Sequence, residues 1–401
     1  MRDPSELTSP ESKPGAVVIG GYVNALTTVR ALALRGVPST VISTRDADMA
    51  QYSRYVKESV RVHHFHSEPE RLLALLASRA DIWEGRVLMP TNDEALEVLS
   101  SNREDLERTF RVAAPEWSIA GAVVDKDRLY SLAREIGVPV AGDYGSADRR
   151  VLMQPDLTFP LLVKPCHGYR FHAVFGKKVV LVQNRKELET QIGLLDQYGL
   201  KARVMDLIPG PDSECYNFTC YRDGRGDIRG AFRVRKVRKS PPQFGVGRVA
   251  RPTEETGFEE PARKLLDSLG WHGIASLEFK RDRRDGRFSL LDFNGRCFLM
   301  AGVALCAGIN YAHMAWSEAV GQSLEDSCPN DWDGCWIHFL DDLYYSFLRR
   351  DLERLTLSEF LAPYMNSRAF AVASWQDPKP FLAEIKRGLA ILIRGNGPDG
   401  Q

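Results

Sequence analysis

Apolar residues enter this chain as short runs separated by glycine, proline and charge. Ala16-Val-Val-Ile19 is too short for a helix and is closed by Gly20-Gly21, which predicts a buried strand and a tight turn. Leu26, Val29, Leu32 and Ala33 then recur at helical spacing, and Ser39 to Ser43 supplies a second strand. Strand, helix and strand in this order form a right-handed unit that starts a doubly wound parallel sheet. Gly20-Gly-Tyr-Val-Asn-Ala25 is not a dinucleotide fingerprint, and Ser43-Thr44-Arg45 stands where an acidic ribose partner would be expected. Residues 87–89 form the next strand, and Asn92 or Asp93 is suited to cap the helix carrying Leu96 and Leu99. Asp125-Lys126-Asp127-Arg128 opens a further amphipathic helix that ends at Gly137-Val-Pro139.

A second group of elements starts near Val151. Phe159-Pro-Leu-Leu-Val-Lys164-Pro165 reads as a buried strand closed by a lysine and stopped by proline. A loop through Cys166-His-Gly-Tyr-Arg170 leads to Lys177-Lys178, a strand over residues 179–182 and a helix over 186–195. Another strand closes at Val204-Met-Asp-Leu-Ile-Pro-Gly210. Arg233, Arg235, Lys236, Arg238 and Lys239 run along a strand into a loop over residues 241–247; such a run suits either a solvated edge strand or a lining of cations for a bound anion.

The densest chemistry lies at a hairpin. Ser276-Leu-Glu278-Phe-Lys280 precedes a turn, and an apolar strand over residues 288–291 runs into Asp292-Phe-Asn294-Gly-Arg296. Side chains alternate along a strand, so Asp292, Asn294 and Arg296 share one face. A three-residue loop Arg284-Asp285-Gly286 pairs Glu278 with Asp292, whereas a two-residue Asp285-Gly286 turn puts them on opposite faces. In the first register two carboxylates and an amide oxygen, hard ligands for Mg²⁺, converge beside a guanidinium that can clamp phosphate.

With 401 residues, 44% of them hydrophobic, the chain is long enough for two or three packed subdomains. Basic and acidic residues number 53 each, so no global field draws nucleic acid or an anionic membrane, and any anion site is local. Seven cysteines without a CxxC pair fit reduced packing residues. Residues 1–15 are polar with no apolar leader core, and no run of eighteen apolar residues follows, which predicts a cytoplasmic protein with a short disordered lead. His63-His64-Phe-His66 does not read as zinc binding: adjacent histidines on a strand face opposite ways, and no further ligand follows at a suitable interval.

The acid followed by Asp-x-Asn-x-Arg resembles the metal-binding signature of the ATP-grasp superfamily, with Asp292 in place of the usual Glu. Lys126 before Gly-Val-Pro, Lys164 ending its strand and Asp206-Leu-Ile-Pro-Gly210 follow the same order, so the likeness spans about residues 16–320. Arg235-Lys-Val-Arg-Lys-Ser-Pro-Pro-Gln-Phe-Gly245 and Trp375-Gln-Asp-Pro-Lys-Pro380 look like the predicted carboxylate-amine ligase group of that superfamily. The resemblance implies an α/β ATP-grasp fold: a Rossmann-like subdomain at 16–120, an ATP-grasp domain at 121–325 with lobes at about 150–208 and 209–325, and a C-terminal extension at 326–401.

It further implies that Lys126 and Lys164, with Lys178, hold nucleotide phosphates, and that Met205, Asp206 and Leu207 receive adenine. Asp212 or Glu214 would take the ribose hydroxyls. Glu278, Asp292 and Asn294 would hold one or two Mg²⁺ ions, with Mn²⁺ as a substitute, and Arg296 would face the transferred group. Apart from the resemblance, the position of the basic strand just before the glycine-bearing 241–247 loop suits Lys236 or Arg238, with Arg248 and Arg251 as alternatives, to reach phosphate or the substrate carboxylate. The implied activity joins a small-molecule carboxylate to an amine through an acyl phosphate, on an amino-acid-like substrate and with homodimerisation open. Transfer to a thiol or carrier protein, and a noncatalytic nucleotide-binding module, are the alternatives.

Overall fold

A computed structural model describes residues 13–45, 48–63, 65, 67–166, 168–365 and 367–394, so most of the lead at 1–15 lies outside the described residues. The N-terminal sheet has five parallel strands in the order Val56–Arg61, Ser39–Ser43, Ala16–Ile19, Val87–Pro90 and Arg111–Val112. Both faces are covered, which explains the uninterrupted apolar run at its centre. Val17 and Ile19 pack with Leu96 and Leu99 on one side, while Ala16 and Val18 join Val23, Leu26 and Val29 on the other. The helix Val23–Ala33 is buried around most of its circumference because its outer side meets the helices Ala301–Cys306 and Tyr311–Ala319. Asn92 is the cap of the next helix, its side chain accepting the Ala95 amide at 2.8 Å.

The smaller lobe is a four-stranded antiparallel sheet ordered Asp143–Ser146, Ala202–Asp206, Leu161–Pro165, Val180–Val182. Leu188, Ile192 and Leu195 of the helix Arg185–Tyr198 cover it. Two details depart from the sequence reading. Pro165 remains inside its strand, opposite Ala202. The segment after it is a helix, Gly168–Phe175, rather than a loop; Phe171 and Phe175, four residues apart, pack with ring centres 4.5 Å apart and tilted by 45°, on one helical face.

The larger lobe is a seven-stranded sheet: Phe288–Asn294, Gly273–Arg281, Cys215–Arg222, Ile228–Ser240, Val246–Pro252, Cys335–Ile337 and Arg368–Phe370. The basic strand Ile228–Ser240 is therefore interior, paired on both sides, and not a solvated edge. The C-terminal residues continue this sheet with two strands and then return to the N-terminal one. Buried Asp377 accepts Arg30 Nε at 3.0 Å, Ser53 Oγ at 2.7 Å and the Arg54 amide at 2.9 Å. The last helix, Lys379–Arg394, packs against the turn Met49–Tyr52. Among the described residues no helix is long and apolar enough to cross a membrane.

Candidate active site

The hairpin pairs Glu278 with Asp292 and Ser276 with Asn294, by a route different from the one the turn suggests. Residues 283–286 form a four-residue loop closed by Asp282 and Arg287, with Gly286 in the left-handed region at φ 76°. That loop alone would set Glu278 opposite Leu291. The pairing shifts by one between Glu278 and Phe279, leaving Leu291 as the extra residue of a bulge, and Asp292 comes opposite Glu278. The Leu291 carbonyl accepts a hydrogen bond from Tyr130 Oη at 2.6 Å and another from Lys164 Nζ.

These groups face a cavity of about 1670 Å³ whose walls include Lys126, Lys164, Lys178, Met205, Asp206 and Leu207. Glu278, Asp292, Asn294, Arg296 and Lys236 line it as well. Roughly 300–1,000 Å³ suffices for one small ligand, so this space admits more than one. Lys126 Nζ pairs with Asp292, and Lys236 Nζ lies 2.6 Å from Glu278. Arg296 donates to Asn294 Oδ1 at 2.9 Å and to Asp93 at 3.0 Å. Burial pulls the Lys164 and Lys178 ammonium groups below their ordinary proton affinity. It pulls on Lys126 too, but Asp292 and Asp93 outweigh it and raise that group. Burial pushes Glu278 and Asp292 up, yet the lysines facing them win: Lys236 and Lys239 hold Glu278 below its usual range, and Lys126 and Lys164 hold Asp292 far below.

Three expected residues are elsewhere. Lys236 pairs with Ala250 and Arg238 with Val249, consecutive residues, so the irregularity at Val237 turns Arg238 to the opposite face of the sheet. There it is buried against Asp342 at 2.7 and 3.0 Å and reaches the Phe360 carbonyl at 3.2 Å. Glu214 is 2% exposed and engaged by Arg281 at 2.7 Å and Arg283 at 2.9 Å. Asp212 accepts the Gln243 amide at 3.0 Å and the Lys239 amide at 3.2 Å, which anchors the 241–247 loop. Neither acid faces the cavity; the carboxylate at this hinge that does is Asp206, which accepts Tyr144 Oη at 3.0 Å.

Further residues line the cavity, of which Asn217 and Glu94 carry no signal in the sequence. Lys239 Nζ stands 3.5 Å from Glu278. Asn217 lies opposite Glu278 in the sheet, and its buried Oδ1 has no hydrogen-bond partner among the described residues. Glu94, next to Asp93, is pushed up to about 7 by burial and by that neighbouring carboxylate. His172 lines the cavity from its helix, while His64, His66 and His167 lie outside the described residues.

A parallel N-terminal sheet followed by two lobes that enclose such a cavity is the ATP-grasp fold, and solved structures of that fold match this chain. No protein-family model matches the chain. In sequence it is 22% identical over 286 residues to the D-aspartate ligase of Enterococcus faecium (strain Aus0004), a match covering 67% of this chain and 68% of that protein. The N5-carboxyaminoimidazole synthetase of Staphylococcus aureus, complexed with ADP, superposes with a TM-score of 0.64 at 15% identity, over 84% of this chain and 86% of that one. The L-amino acid ligase of Bacillus licheniformis gives 0.59 at 17% identity, over 78% and 75%. The biotin carboxylase domain dimer of Hydrogenobacter thermophilus 2-oxoglutarate carboxylase, with MgADP, ADP and bicarbonate, gives 0.62 at 16% identity, over 80% and 73%. The chain thus has the ATP-grasp fold and resembles ligases built on it.

Proposed function

We propose that this protein is an ATP- and Mg²⁺-dependent ligase that joins a carboxylate to an amine. The observation that carries the reading is the meeting in one cavity of three lysines, Lys126, Lys164 and Lys178, with Glu278, Asp292, Asn294 and Arg296. A divalent cation fits this donor set: two carboxylates and an amide oxygen are hard ligands, and Asn217 Oδ1 beside Glu278, with no hydrogen-bond partner among the described residues, is a further oxygen. Glu278, Asp292 and Asn294 would hold it. When bound, Mg²⁺ neutralises charge on the phosphate oxygens of ATP.

The chain's own groups account for the rest. Met205 and Leu207 offer adenine an apolar slot at the hinge. Lys126, Lys164 and Lys178 offset phosphate charge, and Arg296, fixed between Asn294 and Asp93, directs its guanidinium to the transferred group. A free carboxylate is a poor electrophile because its leaving group would be oxide. Its oxygen attacks the γ-phosphorus, ADP leaves, and the resulting acyl phosphate is attacked by an amine, which forms the amide and releases phosphate and a proton. No covalent enzyme nucleophile is required.

Asp292→Asn tests the reading, because it keeps the shape and removes one ligand charge. Turnover should fall by about two to three orders of magnitude, whereas ATP affinity measured by calorimetry should change far less. Equal loss of both, or neither, counts against a metal role for Asp292.

A further inference from the structure

The C-terminal segment walls one end of the cavity. There Tyr22 of the N-terminal subdomain meets Asp341, Glu384 and Arg387, all lining the same space. His338 is 1% exposed, with Nδ1 3.0 Å from Asp341 and Nε2 bonded to Glu384 Oε1. Burial lowers its proton affinity, but Asp341, Tyr22 and Glu384 raise it well above the ordinary value. The Arg387 guanidinium sits 5.4 Å from the centre of the Tyr22 ring and makes no ion pair with an acid among the described residues.

Glu384 is 7% exposed, and its second oxygen, Oε2, is buried with no hydrogen-bond partner among the described residues. A buried acceptor left unpaired costs about 1–3 kcal/mol, a deficit that a donor on a ligand would remove. Glu384 and Arg387 are three residues apart on the helix Lys379–Arg394 and so share a face, with Cβ atoms about 5–6 Å apart in such a pair. An acceptor and a cation at that spacing match the ammonium and carboxylate of an α-amino acid, which one carbon separates. The pocket adjoins the metal acids: Ser240 Oγ donates to Asp341 at 2.9 Å, and the preceding Lys239 reaches Glu278.

We propose that this end of the cavity is the second-substrate site, in which Glu384 binds the ammonium group and Arg387 the carboxylate group of an α-amino acid. The assignment rests on the ligase reading for the word substrate, though binding can be tested without turnover. The full chain is titrated calorimetrically, with MgADP present, with each common L-amino acid and its D-enantiomer, and with the matching decarboxylated amine and deaminated acid. At least one amino acid should bind, and its two truncated analogues at least about tenfold more weakly, which is about 1.4 kcal/mol. Glu384→Gln and Arg387→Met should each weaken that amino acid at least tenfold, with MgADP affinity reporting that the variants are folded. Failure of every amino acid to bind, or equal binding by both variants, overturns the assignment. If MgADP itself does not bind, the ligase reading fails, and the amino-acid titrations, repeated without it, still decide the pocket by the same criteria.

Discussion

Removing the Lys236 ammonium should show that it holds the acid opposite it. Lys236→Met keeps most of the side-chain volume and leaves Glu278 without a partner now 2.6 Å away, in a pair whose side chains are only 4% and 13% exposed. Breaking a buried ion pair costs about 3–5 kcal/mol, and the lower end is expected because Lys239 remains 3.5 Å from the same carboxylate. Each kcal/mol moves the midpoint of a 150–250-residue unit by about 2–4 °C, so calorimetric melting should fall by roughly 6–12 °C at neutral pH. The pH dependence is more specific. Glu278 is held below its usual carboxylate range in the folded chain, chiefly by Lys236 against the effect of burial. Its contribution is therefore complete above the unfolded value of about 4.3 and is lost as pH falls through the lower folded value. In the variant that depression is largely gone, so the gap between wild type and variant should be widest near pH 7 and narrow as pH falls from the unfolded value through the lower folded one. Turnover should fall about 10²–10³-fold if the ammonium also serves the reacting groups. A variant that melts like the wild type at pH 7, or a gap independent of pH, would refute the pairing.

Asp342→Asn tests whether Arg238 is structural: this fully buried acid accepts Arg238, Arg248 and Tyr364 at 2.7–3.0 Å, so its loss should cost about 3–5 kcal/mol in urea unfolding while nucleotide affinity of the folded fraction stays unchanged. Gly142→Ala places a Cβ 2.1 Å from Asp206 Oδ2, so the hinge carboxylate must move; calorimetry should show weaker ATP binding with unchanged far-UV circular dichroism. Asn92→Ala removes the cap beneath the Asp93–Arg296 contact and should cost about 1 kcal/mol in unfolding free energy.

The parts of the fold legible in the sequence are those whose signal is local. The apolar runs at 16–19 and 39–43 alternate with a helical pattern, and that order by itself predicts the parallel sheet. The Glu278–Asp292 pairing was legible as one of two registers, though its true cause is a four-residue loop offset by a bulge, and bulges leave no composition signal. The same blindness misplaces Arg238, since alternation along an unbroken strand puts it beside Lys236. Asp212 and Glu214 follow the hinge closely in sequence, but tertiary partners, the Gln243 amide for one and Arg281 with Arg283 for the other, decide where they point. The cluster of Tyr22, His338 and Glu384 joins residues more than 300 positions apart, and nothing in any local window marks it. What a sequence carries well is period and turn chemistry; contacts that depend on closure of the whole chain it does not.

The most direct test of the ligase reading is ADP release with Mg²⁺, pooled amino acids and other carboxylates, and hydroxylamine as a general acceptor, with products examined by mass spectrometry. The account predicts a hydroxamate that depends on ATP, appears with the wild type and is lost with Asp292→Asn. ADP formed from ATP with no hydroxamate from any carboxylate in the pool would contradict it.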